Sequence, residues 1–308
     1  MFFNDEQVVK IRELFRQIQT EIYGLDRADL TAITLVPAET NLKEWIRSYV
    51  YKYVTEVGYA KFVSDYAEDL PPVARFLQAK AVEIKTIADS YSFSEQELNE
   101  WLAIGTRIDT AEAETAKAKI DEKVDETILK GDAEAGFQGL INNANVTMYV
   151  PNVGADSGTV LKGRDLAGVT ATIQGMIDAQ KTLAANDAGK ATVKADSLLL
   201  APADYAYIAT TPINANNSTT MLEWLKKTFP QITTWAEVEE LHNASASGDK
   251  DRAVLYKKDR KCVAYLLPIP FRQKQAQERA LHYKVPCYAR CGGTIFKNLK
   301  SVIYADGV

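Results

Sequence analysis

Few side chains in this sequence could carry out acid–base chemistry near neutral pH. The two histidines are His242 and His282. His242 follows Glu239 and Glu240, and a histidine beside carboxylates could act as a general base. A solvated histidine at a helix end is the simpler interpretation, and the alternating pattern around His282 fits a strand residue. No HExxH, GxSxG, P-loop or GxGxxG motif is present, so we expect no catalytic, cofactor-binding or metal-binding residues and predict that the protein is not an enzyme.

The three cysteines, Cys262, Cys287 and Cys291, could form disulfides or bind zinc. An odd number in a long chain argues against a disulfide framework and fits a reducing compartment. Cys287 and Cys291 are spaced CxxxC, and no CxxC pair accompanies them to complete a zinc site. We therefore predict thiols that are buried or carried on strands.

A glycine-rich segment at residues 131–139 is the remaining candidate for ligand chemistry. A phosphate-binding loop would lie between a strand and a helix and would be followed by Lys-Ser or Lys-Thr. The sequence has neither feature at this position, so the segment is interpreted as a turn.

The composition indicates a folded protein of one large or two ordinary domains. The 308 residues are 46% hydrophobic and 25% charged, close to globular averages. The formal net charge of −5 argues against a protein that binds nucleic acid mainly by neutralising phosphates. No apolar run approaches the roughly 20 residues that cross a bilayer, and the first ten residues lack the apolar region of a secretory signal.

The N-terminal part of the chain combines helical and extended patterns. Residues 5–22 have apolar side chains at helical spacing and predict an amphipathic helix. Residues 44–63 are rich in aromatic and β-branched residues, and residues 81–88 alternate strictly, so both predict strands. The acidic segment 65–72 between them ends in two prolines and cannot continue a central strand. We therefore predict a projecting hairpin-like loop that lies on a partner, with a long surface loop of a monomer as the alternative.

The strongest predicted helix covers residues 110–130. Its apolar stripe is narrow, consisting of Ile120, Val124 and Ile128, and Gly131 is well placed to end it. Such a helix could lie across a sheet while its charged flanks meet other subunits, or it could be an ordinary amphipathic helix of a monomer. A second amphipathic helix is predicted at residues 165–185.

Shorter elements complete an α+β pattern. Residues 197–201 predict a buried strand, and strands dominate from residue 254 to the end. The mixture of long helices and dispersed strands is typical of α+β folds. Three capping-box signatures each predict a short helix: Ser94 with Glu97, Thr220 with Glu223, and Thr234 with Glu237.

The order of these elements resembles the major capsid proteins of tailed bacteriophages with the HK97 fold. The projecting strand loop and the charged helix are followed by a Gly-x-x-Gly-Leu-x-Asn element at residues 136–142. After the second helix comes Leu-Leu-Leu-Ala-Pro-x-x-Tyr at residues 198–205. Residues 251–256 resemble the entry to an axial-domain strand, and residues 300–307 resemble the closing strand. The encapsulins, which are related cellular shells, share the element at residues 139–142.

The resemblance implies an HK97-like fold with an N-terminal arm, a peripheral domain, an extended E-loop and an axial domain. Residues 110–130 would be the spine helix of the peripheral domain. The implied segments are residues 1–30 for the arm, residues 31–55, 80–200 and 296–308 for the peripheral domain, residues 56–79 for the E-loop, and residues 201–295 for the axial domain.

The same resemblance implies that subunits contact one another through the E-loop, the arm and the spine helix. The charged side chains of the E-loop and of the spine helix are the candidate contact residues. In the E-loop these are Lys61, Asp65, Glu68, Asp69 and Arg75, and on the spine helix they are Glu114, Lys117, Lys119, Glu122, Lys123 and Glu126.

The implied function is that of a capsid subunit. The chain would self-assemble into hexamers and pentamers of an icosahedral phage head that encloses double-stranded DNA without sequence-specific binding. A separate scaffolding protein, a portal protein and a decoration protein are the expected partners, and no membrane is involved. Synthesis is expected in the host bacterial cytoplasm, with the protein then resident in the virion. An encapsulin-like nanocompartment shell is the alternative, and an enzyme with an unrecognised site is a more remote one.

Overall fold

The computed structural model describes residues 30–40, 42–57, 62, 74–104, 111–151, 158–185, 193–214, 218–245 and 247–307, without the side chains of residues 53–57, 74–78, 101–104 and 111. The helix predicted at residues 5–22 lies outside these ranges. The described helices are α1 (Ala32–Leu35), α2 (Glu95–Ile104), α3 (Ala111–Leu129), α4 (Leu166–Leu183), α5 (Pro202–Thr210) and α6 (Met221–Thr228), with 3₁₀ turns at Glu239–Leu241 and Leu299–Ser301.

The described strands are more numerous than the helices, and most of them are short. They are β1 (Ser48–Val57), β2 (Ala74–Glu83), β3 (Lys85–Ser94), β4 (Gly131–Asp132), β5 (Phe137–Gln138), β6 (Thr147–Tyr149), β7 (Ser197–Leu200), β8 (Thr234–Glu237), β9 (Arg252–Tyr256), β10 (Val263–Tyr265), β11 (Ile269–Gln273), β12 (Gln277–Arg279), β13 (His282–Cys291), β14 (Thr294–Phe296) and β15 (Val302–Asp306). The predicted α+β class is confirmed.

The predicted pairing of two strands in a hairpin is present, but the second strand, β2, begins at Ala74, before the run predicted at residues 81–88. Strand β1 pairs antiparallel with β2 over ten residue pairs, from Ser48 opposite Glu83 to Val57 opposite Ala74. The chain then bends at Ile84, which is buried and donates its backbone N–H to the carbonyl of Arg47 at 2.8 Å. This bend divides the extended run predicted at residues 81–88 between two sheets.

After the bend, β3 enters a second sheet. It pairs along its whole length with β13, whose other edge pairs with β11 and β12. Helix α2 begins with the predicted capping box, since the Ser94 hydroxyl accepts from the backbone N–H of Glu97 and the Glu97 carboxylate accepts from the backbone N–H of Ser94. Cys287 and Cys291 lie on β13 with buried side chains, as the sequence predicted.

Helix α3 packs its apolar stripe against this sheet. Ile120, Val124 and Ile128 are buried in one cluster with Val285 and Ala289 of β13. The stripe is narrow because only one side of the helix meets the sheet, and the remaining positions carry charge. We call β3, β11, β12 and β13 with α2 and α3 the β3–β13 unit.

A five-stranded sheet in the order β6-β15-β9-β7-β8 forms the centre of the remaining structure. Its central strands are buried on both faces, which explains why β7, β9 and β15 have continuous apolar runs instead of alternation. One face carries Leu199, Val254 and Tyr304 toward the core shared with α3. The opposite face carries Leu198 and Leu255 toward α4, α5 and α6. We call this sheet with α4, α5 and α6 the five-stranded unit.

The prediction of a helix beginning at Thr234 and Glu237 is wrong. Residues Thr234–Glu237 form the edge strand β8, which pairs in parallel with β7 from Ser197 opposite Thr234 to Leu200 opposite Glu237. Hydrogen bonding to β7 overrides the local capping preference, since a capping box is only a weak local signal. The Thr220 cap is present, and its hydroxyl accepts from the backbone N–H of Glu223 at 3.3 Å.

Sheet pairing cuts across the predicted domain boundaries. Strand β15, in the segment 296–308 predicted as peripheral, lies beside β9 of the range 201–295 predicted as axial. Strand β13 of that same range pairs with β3, and α4 of the range 80–200 packs in the five-stranded unit. Long-range pairing takes the chain between the two units several times. Their identification as peripheral and axial domains remains a prediction.

The glycine-rich segment is the predicted turn. Gly131 ends α3 with a φ of +78°, in the left-handed region that favours glycine. Strands β4 and β5 then pair so closely that a Cβ on Gly139 would overlap the carbonyl oxygen of Leu129. The glycines therefore allow the backbone to fold back on the end of α3.

Candidate intersubunit surfaces

The hairpin of β1 and β2 is anchored at its base. Ten residues per strand at ~3.3 Å each give a ribbon about 33 Å long. Tyr51, with Tyr49 and Val82 partly buried beside it, packs on Leu266 and Ile295 at the base. A two-stranded ribbon is marginally stable in water by itself, so this one gains from a second surface along its length.

Charged groups fix the chain segment that leads into the hairpin. The Arg272 guanidinium donates to both carboxylate oxygens of Glu44, at 2.7 and 2.8 Å. The Arg290 guanidinium donates to the backbone carbonyls of Glu44 and Ile46. The hydrogen bond and charge of Arg272 lower the pKa of Glu44. Both side chains of the Glu44–Arg272 pair are exposed, so the pair orients the segment more than it stabilises the fold.

Four of the predicted spine residues pair within the subunit. Lys119 donates to Glu122 at 2.7 Å, and Lys123 donates to Glu126 at 3.0 Å. Lys123 also lies 3.2 Å from Asp132 in the turn after α3, and hydrogen bonds to these two carboxylates raise its pKa. These ion pairs are close to half exposed, so each is worth only about 0–1 kcal/mol, and the charges stay accessible to a neighbouring molecule.

The other candidate residues are placed less completely. Glu114 and Lys117 are partly exposed on α3. Arg75 lies on β2 opposite Glu56, but its side chain is outside the described set. Lys61, Asp65, Glu68 and Asp69 lie outside the described residues. The structure therefore brings together the charged groups of α3, and the E-loop candidates remain predictions.

Two buried groups hold α1, where the predicted N-terminal arm would join the body. The Asp125 carboxylate of α3 accepts from the backbone N–H of Ala32 at 2.9 Å. The Tyr256 hydroxyl of β9 donates to the carbonyl of Leu35 at 2.7 Å. Burial raises the pKa of Asp125 to about 6. Sequence reasoning missed both contacts, because they join residues far apart in the chain.

A buried arginine connects the Gly-Leu-x-Asn element to the closing strand. The Arg252 guanidinium binds both carboxylate oxygens of Asp306, at 2.6 and 2.9 Å, and donates to the carbonyl of Ile141 at 2.7 Å. It also lies 4.8 Å from the centre of the Tyr304 ring. The Tyr304 hydroxyl donates in turn to the carbonyl of Leu140. These contacts hold the element against the closing strand.

Asp204 explains part of the Leu-Leu-Leu-Ala-Pro-x-x-Tyr motif. Its carboxylate is fully buried and accepts from the backbone N–H groups of Val160, Leu161 and Lys162, at 2.8 to 3.0 Å. Burial is the main influence on the pKa of Asp204 and raises it. An acidic residue in the first turn of a helix is a common pattern, so the sequence alone gave no signal that Asp204 organises a distant loop.

The histidine singled out as a candidate base has a structural partner. His242 Nδ1 lies 2.8 Å from the Asp251 carboxylate, and that carboxylate also accepts from the backbone N–H of Asn243. The partner is therefore Asp251 and neither of the adjacent glutamates. His242 itself is 62% exposed at the end of a 3₁₀ turn, which agrees with the solvated interpretation.

Within the described residues, no group of three or more His, Cys, Asp or Glu side chains could hold a metal ion, and no helix is long and apolar enough to cross a membrane.

Comparison with known proteins identifies the family. The model of the major capsid protein family matches residues 58–308. A search of curated proteins gives no match. The capsid of Myoviridae phage XM1 superposes with a TM-score of 0.73 at 17% identity, over 94% of this chain and 95% of that one. The capsid of a native GTA particle gives a TM-score of 0.64 at 11% identity, over 92% of both chains.

A virus-like particle from Pyrococcus furiosus also matches, with a TM-score of 0.55 at 12% identity over 98% of both chains. At these identities the structural matches establish the fold, which is the HK97-like α+β fold that the sequence predicted. The family match covers most of the chain and establishes membership. The family is structural, with the virion as its location. The chain belongs to the major capsid protein family.

Proposed function

We propose that this protein self-assembles into hexamers and pentamers that close an icosahedral phage head around double-stranded DNA. The observation that carries the proposal is the fold match along nearly the whole chain to the capsids of phage XM1 and the GTA particle. The long β1–β2 ribbon, packed at its base in the described structure, supports it. Such a ribbon is stabilised by lying on the surface of a neighbouring subunit.

The mechanism is repeated binding between identical subunits. The E-loop residues Lys61, Asp65, Glu68, Asp69 and Arg75 contact a neighbour, and the charged flanks of α3 meet others. Exposed ion pairs contribute little individually, so shell stability comes from many modest interfaces added by symmetry. Because the α3 charges already pair within the subunit, a neighbour exchanges or extends these pairs and does not have to neutralise isolated charges.

Other proteins complete the assembly. A separate scaffolding protein directs shell closure, a portal protein occupies one vertex, and a decoration protein is a further candidate partner. The subunit is made in the host bacterial cytoplasm. The net charge of −5 suits a container that a motor fills, since a subunit of net negative charge does not trap the DNA.

Deletion of residues 64–76 tests the proposal. The deleted segment includes the start of β2 but leaves the base of the ribbon, where Tyr49, Tyr51 and Val82 pack. The variant is therefore expected to fold and remain soluble but to form no closed shells. Light scattering and negative-stain microscopy measure assembly, and circular dichroism with thermal unfolding measures folding. Normal shells from the deleted variant would refute the E-loop assignment.

A cellular protein compartment is the second candidate, because the virus-like particle from Pyrococcus furiosus shares the fold over 98% of both chains. Purified shells distinguish the two functions. DNA inside shells made in cells with the neighbouring genes supports the phage head, whereas a co-purifying protein without DNA supports the compartment. A protein that stays monomeric under every condition, co-expression included, would contradict both.

A further inference from the structure

A group of basic side chains lies where three surface segments meet. The backbone N–H of Lys257 donates to the carbonyl of Ser301 at 3.0 Å, and that of Lys297 donates to the carbonyl of Cys262 at 2.8 Å. The Gln180 amide donates to the carbonyls of both Val193 and Lys300, at 3.2 and 3.1 Å. We call the surface formed by these segments the basic patch. Its basic residues are Lys194, Lys257, Lys258, Arg260, Lys261, Lys297 and Lys300.

The acidic groups of the basic patch are already engaged. Asp196 lies 2.5 Å from the Lys257 ammonium and accepts from the backbone N–H of Lys258. Glu39 pairs with Lys297, and Asp259 accepts from the backbone N–H of Lys261 at 2.9 Å. With seven basic and three acidic side chains, the described patch has a formal charge of +4. Four exposed lysines have no ion pair with a described residue: Lys194, Lys258, Lys261 and Lys300.

This local charge opposes that of the whole chain, which is −5. We propose that the basic patch is a non-specific contact site for the phosphate backbone of double-stranded DNA, on a protein that otherwise repels it. The inference rests on the proposed enclosure of DNA and adds the surface that touches it. The acidic remainder of the chain keeps such a contact weak, so the packaged DNA is positioned without being trapped.

The chemistry of the patch favours a nucleic acid over an acidic protein segment. Phosphate contacts need only accessible positive charge and carry no sequence information. Lysine supplies point charges on flexible stems, without the fixed geometry of a bidentate arginine. A protein partner would be anchored mainly by buried aromatic or apolar groups, and the exposed large apolar side chain among the basic residues is Leu299, which is 39% exposed.

Fluorescence anisotropy of a labelled short duplex of mixed sequence, titrated with the full-length protein, tests the proposal. For about four phosphates neutralised, the plot of log affinity against log salt should have a slope of about −3 to −4. The variant Lys258→Glu/Lys261→Glu/Lys300→Glu reverses three exposed charges and should bind at least about tenfold more weakly at low salt, with a slope near zero. Its thermal unfolding should be unchanged, because these side chains are exposed.

A matched control reverses three exposed lysines outside the patch, Lys80→Glu/Lys130→Glu/Lys284→Glu, and gives the same net charge. The proposal expects the control to retain most of the wild-type affinity. Equal losses in both variants would mean that binding follows net charge alone and would overturn it. Absence of wild-type binding at low salt would also overturn it, as would tighter patch-dependent binding of polyglutamate, which would indicate an acidic protein partner.

Negative-stain microscopy separates the two proposals: shells that do not bind DNA contradict only the contact site, whereas failure to form shells contradicts the proposed function.

Discussion

Asp125 carries a carboxyl group that lowers the stability of the fold near neutral pH. Its side chain is buried in α3, and it accepts from the backbone N–H of Ala32 at 2.9 Å. Burial, the largest influence, raises its pKa from 3.8 to about 6; the hydrogen bond from Ala32 opposes this rise, and the charge of Glu240 adds to it. The ionised form is therefore less favourable in the folded protein than in the unfolded chain.

The sign of the pH dependence follows from the direction of this change. Because the pKa is higher in the folded state, the folded protein binds the proton more tightly. The free energy of unfolding therefore falls as the pH rises from about 4 to about 6 and stays lower above that range. At about 1.4 kcal/mol for each pH unit, the full effect is about 3 kcal/mol at neutral pH.

Replacing Asp125 by Asn isolates this effect. The amide oxygen can still accept from Ala32, and the ionisation is removed. The new NH₂ group costs about 1–2 kcal/mol where no group accepts from it. Asp125→Asn is therefore expected to raise stability by about 1–2 kcal/mol near pH 7 and to give no gain near pH 4. Asp125→Ala is the comparison variant, because it leaves the Ala32 N–H without this acceptor and should destabilise α1 at both pH values.

Thermal unfolding of the full-length variants from about pH 4 to pH 8 measures the effect. Hydrogen exchange read by mass spectrometry over residues 30–36 measures it locally, with variant and wild type compared at each pH. The reasoning is refuted if Asp125→Asn is less stable than wild type near pH 7. It is equally refuted if the difference between the two proteins is the same at both ends of the pH range.

Two further substitutions test contacts that position the Gly-Leu-x-Asn element. Gly139→Ala should lower the melting temperature severely or prevent folding, because the added Cβ overlaps the Leu129 carbonyl. Gly136→Ala is the control, because the space around Gly136 is open. Its positive φ makes the alanine cost only about 1 kcal/mol of backbone strain. Arg252→Met should cost about 3–5 kcal/mol in urea unfolding, because it leaves the mostly buried Asp306 carboxylate without its partner. A loss below about 1 kcal/mol would show that this pair is not a buried ionic contact.

The most successful predictions from the sequence were those that rest on patterns within short segments. The stripe of Ile120, Val124 and Ile128 predicted α3, and Gly131 predicted its end, because helix periodicity and a left-handed C-terminal residue are local properties. The aromatic and β-branched run at residues 44–63 likewise predicted the first strand of the hairpin, whereas most of the second strand, β2, lies before the run predicted at residues 81–88. The thiols of Cys287 and Cys291 were correctly expected on a buried strand.

Predictions that depended on long-range pairing were less successful. Thr234 has a sound local capping signature, yet it lies in β8 because an open edge of β7 was available for pairing. The predicted division into domains stays a prediction, but the pairing of β13 and β15 with strands far away in the chain was not indicated by any local pattern. Charge positions were predictable, but their partners were not: Glu126 binds Lys123 on the preceding turn.

The sequence by itself determined most of the element types, the order of motifs and, through that order, the capsid family. These features depend on neighbouring residues and on composition, which the chain carries without folding. The tertiary structure decided which strands pair, which face of the central sheet each helix covers, and how distant groups such as Arg252 and Asp306 meet. It also brought the lysines of separate segments into the basic patch. Those outcomes depend on burial and hydrogen bonding between residues distant in sequence, and no local pattern specifies them.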